Sequence, residues 1–124
     1  MITVNQVFDT LYKALPNVYV TKYYNRIQEN LPCVYFRESH TPVARYTQFD
    51  FNDKQMRLVC YVEVYGYDTD AIVQTIEDTF RSMFFMEELC EMIPNYNPDI
   101  ERVSMRFQRI IAGGDSLPEG ENNG

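Results

Sequence analysis

Apolar residues recur at helical spacing near the start of the chain. Val4, Val7, Phe8, Leu11 and Leu15 fall on one side of a helix, with Asn5, Asp9 and Lys13 on the other. Thr3 followed by Gln6 has the form of a capping box, and Pro16 forbids continuation, so the spacing predicts a helix over 4–15 packed on something flat. A second helical stripe, Ile72, Val73, Ile76, Phe80, Met83 and Phe84, runs from about Asp70 to Phe84. Gln74, Glu77, Asp78 and Arg81 form its wet side, and Asp68 or Thr69 supplies the N-cap.

Between and after the helices the period changes to two. Leu58, Cys60, Val62 and Val64 alternate with Arg57, Val59, Tyr61, Glu63 and Tyr65, the pattern a half-buried strand imposes. Val103, Met105, Phe107, Arg109 and Ile111 alternate with Arg102, Ser104, Arg106, Gln108 and Ile110 in a final strand that Gly113-Gly114 ends. Two shorter candidates, 18–23 and 33–38, are rich in β-branched and aromatic residues, and Ser39-His40-Thr41-Pro42 is expected to stop the second. Residues 43–67 read as a long hairpin with one limb over 45–51, a turn at 52–54 and the return limb to Tyr67. The stretch 86–99 could extend a helix or pair as an edge strand before Pro94 and Pro98, and is expected to be irregular.

The expected fold is therefore α+β: a mainly antiparallel sheet with a long hairpin and two helices packed on one face. Its length of 124 residues and 45% apolar content suit one domain over 1–112, followed by a flexible acidic tail over 113–124.

Charge narrows the function. Eleven Lys and Arg against 18 Asp and Glu give −7, which disfavours a protein that grips nucleic acid, since phosphate contacts need surplus cations. Near DNA such a surface would instead let a duplex pass without sticking. The opening six residues lack the basic head and apolar run of a secretory signal, and no apolar stretch reaches the roughly 18 residues of a membrane span. Folding in the cytoplasm and no membrane partner are expected.

Catalytic chemistry finds little support. His40, the single histidine, sits in a polar Ser-His-Thr-Pro segment and reads as a solvated loop residue without an orienting partner. Cys33, Cys60 and Cys90 have no metal-ligand spacing and read as buried structural thiols. Glu87, Glu88 and Glu91 lack the alternating ligands and glycine of a calcium loop and read as a solvated helix face. Gly113-Gly114 precedes no helix and cannot form a phosphate loop. No enzyme, cofactor or metal is expected.

Contact surfaces are the better candidates. Arg57, Arg102 and Arg106 beside Tyr61, Tyr65 and Glu63 fall on the sheet face opposite the helices. Two readings stand: an interface anchored by Arg and Tyr, or an ordinary exposed sheet face with cross-strand ion pairs. Val59 and Ile110 on the same face would be left exposed in a monomer. The hairpin tip, with Arg45, Tyr46, Gln48, Phe49 and Phe51, could reach a neighbouring subunit or simply pack within the sheet.

Over about residues 3–112 this layout resembles the tail terminator or tail-completion proteins of long-tailed bacteriophages, with related minor tail and head-tail joining proteins. The likeness lies in the first helix ending in Leu15-Pro16, the entry Leu31-Pro32-Cys33-Val34-Tyr35, the block from Leu58 to Gly66 passing into the second helix, and the ending Asn97-Pro98-Asp99 to Phe107. The resemblance implies a homo-oligomer, a hexameric ring that stops tail-tube polymerisation, contacts the tail tube protein and a head-side connector protein, and lets DNA pass through its lumen. It implies a virion protein of the head-tail junction, assembled in the host cytoplasm. A head-completion or stopper protein would share these features, and a small-molecule-binding domain would instead need a concave pocket with convergent polar groups.

Overall fold

A computed structural model describes residues 4–24, 29–42 and 55–112. Seven elements follow one another: α1 (Val4–Ala14), β1 (Tyr19–Thr21), β2 (Cys33–Pro42), β3 (Gln55–Gly66), α2 (Asp70–Ser82), β4 (Met86–Ile93) and β5 (Glu101–Ala112). The strands form one sheet in the order β1-β2-β3-β5-β4. Every pairing is antiparallel except β1 with β2, so the fold is α+β with a mainly antiparallel sheet.

Both helices cover the same face. Val7, Leu11 and Leu15 from the α1 region and Ile76, Phe80 and Met83 from α2 join one buried cluster with Val34, Phe36, Leu58, Cys60, Val62, Val64, Val103, Met105 and Phe107 from the strands. Phe80 is the hub of this layer: its ring stacks on Phe107 with centroids 4.1 Å apart and meets Phe85 edge-on at 5.2 Å. Pro16 lacks the N–H that a further helical turn would use, and α1 closes through turn bonds from Leu15 N–H to Tyr12 O and from Val18 N–H to Leu15 O. Thr3, the expected cap, lies outside the described residues.

The structure corrects four expectations. The first strand spans only three residues and runs parallel to β2, pairing Tyr19 with Cys33 and Thr21 with Tyr35. The second does not stop at Ser39: Ser39, His40 and Thr41 pair with Val59, Leu58 and Arg57, so a long-range ladder overrides their preference for turns. β3, the return limb of the expected hairpin, pairs with β2 on one side and with β5 on the other. The expected limb over 45–51, its turn and the tip residues Arg45, Tyr46, Gln48, Phe49 and Phe51 lie outside the described residues, as does the tail 113–124.

The fourth correction concerns 86–93, which is an ordered edge strand with a bulge between Glu87 and Leu89. Most of its side chains are exposed, so no alternation betrays it. Asn95, Asn97 and Asp99 then turn the chain back, with Asp99 N–H donating to Asn97 Oδ1 at 2.9 Å and Ile100 N–H to Asn97 O at 3.1 Å.

α2 ends in a tight backbone hook. Phe84 N–H donates to Arg81 O at 2.9 Å and Phe85 N–H to Phe80 O at 3.0 Å, the paired bonds of a Schellman motif. The motif needs a left-handed residue, and Phe84 fills that place with φ 66°. Phe85 is thereby turned inward onto Phe80, while Phe84 remains 68% exposed.

Candidate protein interface on the open sheet face

Alternation carries every odd residue of β2 and β3 and every even residue of β5 to the face away from the helices. Registration then sets Arg37 opposite Tyr61, Tyr61 opposite Arg106, Tyr65 opposite Arg102, and Arg57 opposite Ile110. Arg57, Tyr61, Tyr65, Arg102 and Arg106 thus share one surface. Among the described residues no helix lies across it.

The arginines on this surface are mostly engaged. Arg102 donates from Nε and Nη2 to the two carboxylate oxygens of Glu63, at 3.2 and 3.0 Å. Arg106 Nε pairs with Glu88 at 3.0 Å across β5 and β4. Arg37, a residue sequence reasoning did not single out, lays its guanidinium 4.0 Å from the centre of the Tyr61 ring. It lies inside the expected strand 33–38, but only the register with β3 sets it opposite Tyr61. Arg57 has its Nε buried without a hydrogen-bond partner.

Tyr65 differs from Tyr61 in being buried, with Arg102 5.8 Å from its ring centre. Its hydroxyl donates to Glu63, so one carboxylate holds both a phenol and a guanidinium. Burial, then the hydrogen bond to Glu63 and its charge, push the phenol well above its ordinary range, and Arg102 pulls part of the way back. Tyr65 therefore braces the surface and is not itself available to a partner. Tyr24 lies edge-on to Tyr35 at 5.3 Å on the same side.

The apolar part of the face lies near the open end of β5. Ile110 is 47% exposed and Met86 is 64% exposed. Val59 is half-buried. Gln108 joins these residues in the register, paired with Val59 on one side and with Met86 on the other.

On the helix-covered face, His40 is not a loop residue: it sits in β2 and its Nε2 lies 2.6 Å from Glu38 Oε2. The two residues are two apart on a strand and so point the same way, a neighbour relation invisible while the strand was expected to end at Glu38. The Glu38 side chain is 8% exposed and its Oε1 is buried without a partner. Its charge adds to burial, the larger cause, in raising the pKa of buried Cys60 far above the usual thiol value. Cys60 is thus a buried, inert thiol, whereas Cys33 is half-buried and Cys90 is exposed, against expectation.

A shallow groove of about 360 Å³ runs between α2 and β4, lined in part by Asp70, Gln74, Glu77, Cys90 and Met92. At it, ligand atoms of Glu77, Glu87 and Cys90 lie within 4.8 Å of one another. Glu87 belongs to a strand and not to the expected helix face, and its carboxyl is pushed up to about 7, by partial burial and then by a hydrogen bond to Glu77 and that residue's charge. Two carboxyl groups that share a proton can sit this close without a cation.

No protein-family model matches the chain, and no curated protein matches it.

Proposed function

We propose that the chain is a structural subunit of a virion, a phage tail terminator that closes as a ring on the tail tube and docks to the head-side connector. The observation that carries this reading is the broad sheet face left open among the described residues. It bears Arg37, Tyr61, Arg106, Met86 and Ile110, residue types that anchor protein contacts, above a brace of Glu63, Tyr65 and Arg102. The net charge of −7 supports passage of DNA through such a ring without adhesion. No described helix is long and apolar enough to cross a membrane.

Particles made without the protein provide the test. Overlong or headless tails in electron micrographs are expected, and normal virions would sink the proposal. A head-completion protein would bind DNA-filled heads in preference to purified tail tubes, which separates the nearest alternative. The groove between α2 and β4 favours one reading of another class, a small-ligand-binding domain; a thermal shift of the pure protein with a small polar ligand would favour it.

A further inference from the structure

The sheet has two edges that no described strand covers. β1 pairs with β2 only from Cys33 to Tyr35, so residues 36–42 of β2 have β3 on one side and, among the described residues, no strand on the other. Among the described residues β4 pairs with β5 alone, and no described strand lies on the other side of Met86–Ile93. Each edge presents backbone N–H and C=O groups that a further strand can take up.

We infer that these edges meet between copies of this chain, the β2 edge of one subunit adding in antiparallel fashion to the β4 edge of the next. The inference rests on the reading of the protein as a self-assembling subunit and names how its copies join.

Strand direction permits it. β2 runs against β3, β3 against β5 and β5 against β4, so β2 and β4 point in opposite directions. A neighbour related by rotation about an axis roughly along the strands therefore offers its β2 antiparallel to β4, and the alternation continues from subunit to subunit. The two joined surfaces differ, which makes the contact head-to-tail and able to close a ring.

Charge selects the pairing. β4 carries Glu87, Glu88 and Glu91, whose like charges oppose pairing of two β4 edges. Glu88 is already held by Arg106, but Glu91 is exposed with no ion-pair partner among the described residues. Arg37 on the β2 edge is also exposed and rests on Tyr61, with no carboxylate partner among the described residues. Both side chains project from the same sheet face, Arg37 opposite Tyr61 and Glu91 opposite Ser104.

Setting Arg37 against Glu91 of the adjacent copy fixes the register. It lays Met92, 59% exposed in the lone subunit, beside Phe36, and carries His40 toward Glu87, which lies on the same face. The pairing stops where β1 begins at Tyr35, so the ladder spans 36–41 on one side and 87–92 on the other.

Charge reversal of the full-length protein tests this, read by native mass spectrometry and light scattering. Arg37→Glu and Glu91→Arg should each weaken self-association by at least about tenfold, since like charges would then face across the joint. The double variant should recover the assembly. Amides of 36–41 and 87–92 should gain protection from hydrogen exchange on assembly. Both residues are exposed, so an unchanged far-ultraviolet circular dichroism spectrum of each variant checks that the subunit still folds.

An assembly indifferent to both reversals, or a wild-type protein monomeric at every concentration, overturns the inference. The first result leaves the terminator reading intact, because copies could join elsewhere. Conversely, an assembly that obeys the charge swap but binds neither tail tubes nor heads defeats the terminator reading alone.

Discussion

Glu101, the first residue of β5, accepts two hydrogen bonds from Thr69, one from the backbone N–H at 3.1 Å and one from the hydroxyl at 2.8 Å. Thr69 is the N-cap of α2, yet its own side chain makes no capping bond. The cap hydroxyl is spent on a residue 32 positions away, and the helix start is pinned to the strand instead. Thr69 is wholly buried, so loss of its acceptor leaves two donors unpaired. Glu101→Ala is expected to cost about 1–3 kcal/mol in urea denaturation, with Glu101→Gln recovering part of it through its amide oxygen. Equal losses for the two variants would show that the carboxylate matters for some other reason.

Phe84 occupies a left-handed backbone position that a side chain tolerates at a cost of about 1 kcal/mol. Arg109 offsets some of it, since its Nη1 donates to Met83 O at 2.7 Å while its guanidinium lies 5.8 Å from the Phe84 ring centre. Comparison of two truncations separates these effects. Phe84→Ala loses the ring and keeps the strain, whereas Phe84→Gly loses both, so the glycine variant should be the more stable by about 1 kcal/mol. Equal stabilities would mean that the hook does not hold the left-handed conformation in solution.

Legibility in the sequence followed burial. β3 could be read because Leu58, Cys60, Val62 and Val64 are buried while Val59, Tyr61 and Glu63 are not, and α2 because Ile76, Phe80 and Met83 mark one stripe. β4 could not, since Glu87, Glu88, Glu91 and Met92 are all exposed and an edge strand needs no apolar face. The end of β2 was hidden for a different reason: Ser39, His40 and Thr41 owe their extended form to partners in β3 well beyond local reach. The same gap concealed the Glu38–His40 pair. On the open face, Arg57, Tyr61, Tyr65, Arg102 and Arg106 could be assigned to one side, but the burial of Tyr65 could not be read from alternation, which gives it the same face as half-buried Tyr61.

Glu87 makes stability depend on pH in a direction opposite to that of most salt-bridged carboxylates. Its carboxyl titrates near 4.5 when unfolded and about 7 when folded, so between those values the folded state binds more protons. Stability must then fall as pH rises through this window. Because the side chain is exposed, solvent screening should hold the effect below about 1 kcal/mol. Glu87→Gln removes the titrating group and should flatten that part of the curve, raising stability more at pH 8 than at pH 4. A profile unchanged by the substitution would show that Glu77 and Glu87 do not interact in solution.

Two ion pairs of similar length should differ in worth because their surroundings differ. Arg81 meets Asp78 at 2.8 Å with side chains 70% and 57% exposed, whereas Arg102 meets Glu63 at 3.0 Å with 27% and 22% exposed. The first is a helix-surface pair, for which about 0.3–0.5 kcal/mol is usual. The second is partly desolvated, and Glu63 also accepts from the Tyr65 hydroxyl. Removal of Glu63 therefore strands a buried phenol as well as a guanidinium, so Glu63→Ala should cost about 1–3 kcal/mol. Asp78→Ala should cost a fraction of that, and high salt should erase the Asp78 effect while sparing most of the Glu63 effect. Urea titrations of both variants at low and high salt make the comparison. Equal, salt-sensitive losses would reduce the Glu63–Tyr65–Arg102 group to surface decoration and remove the brace from beneath the proposed interface.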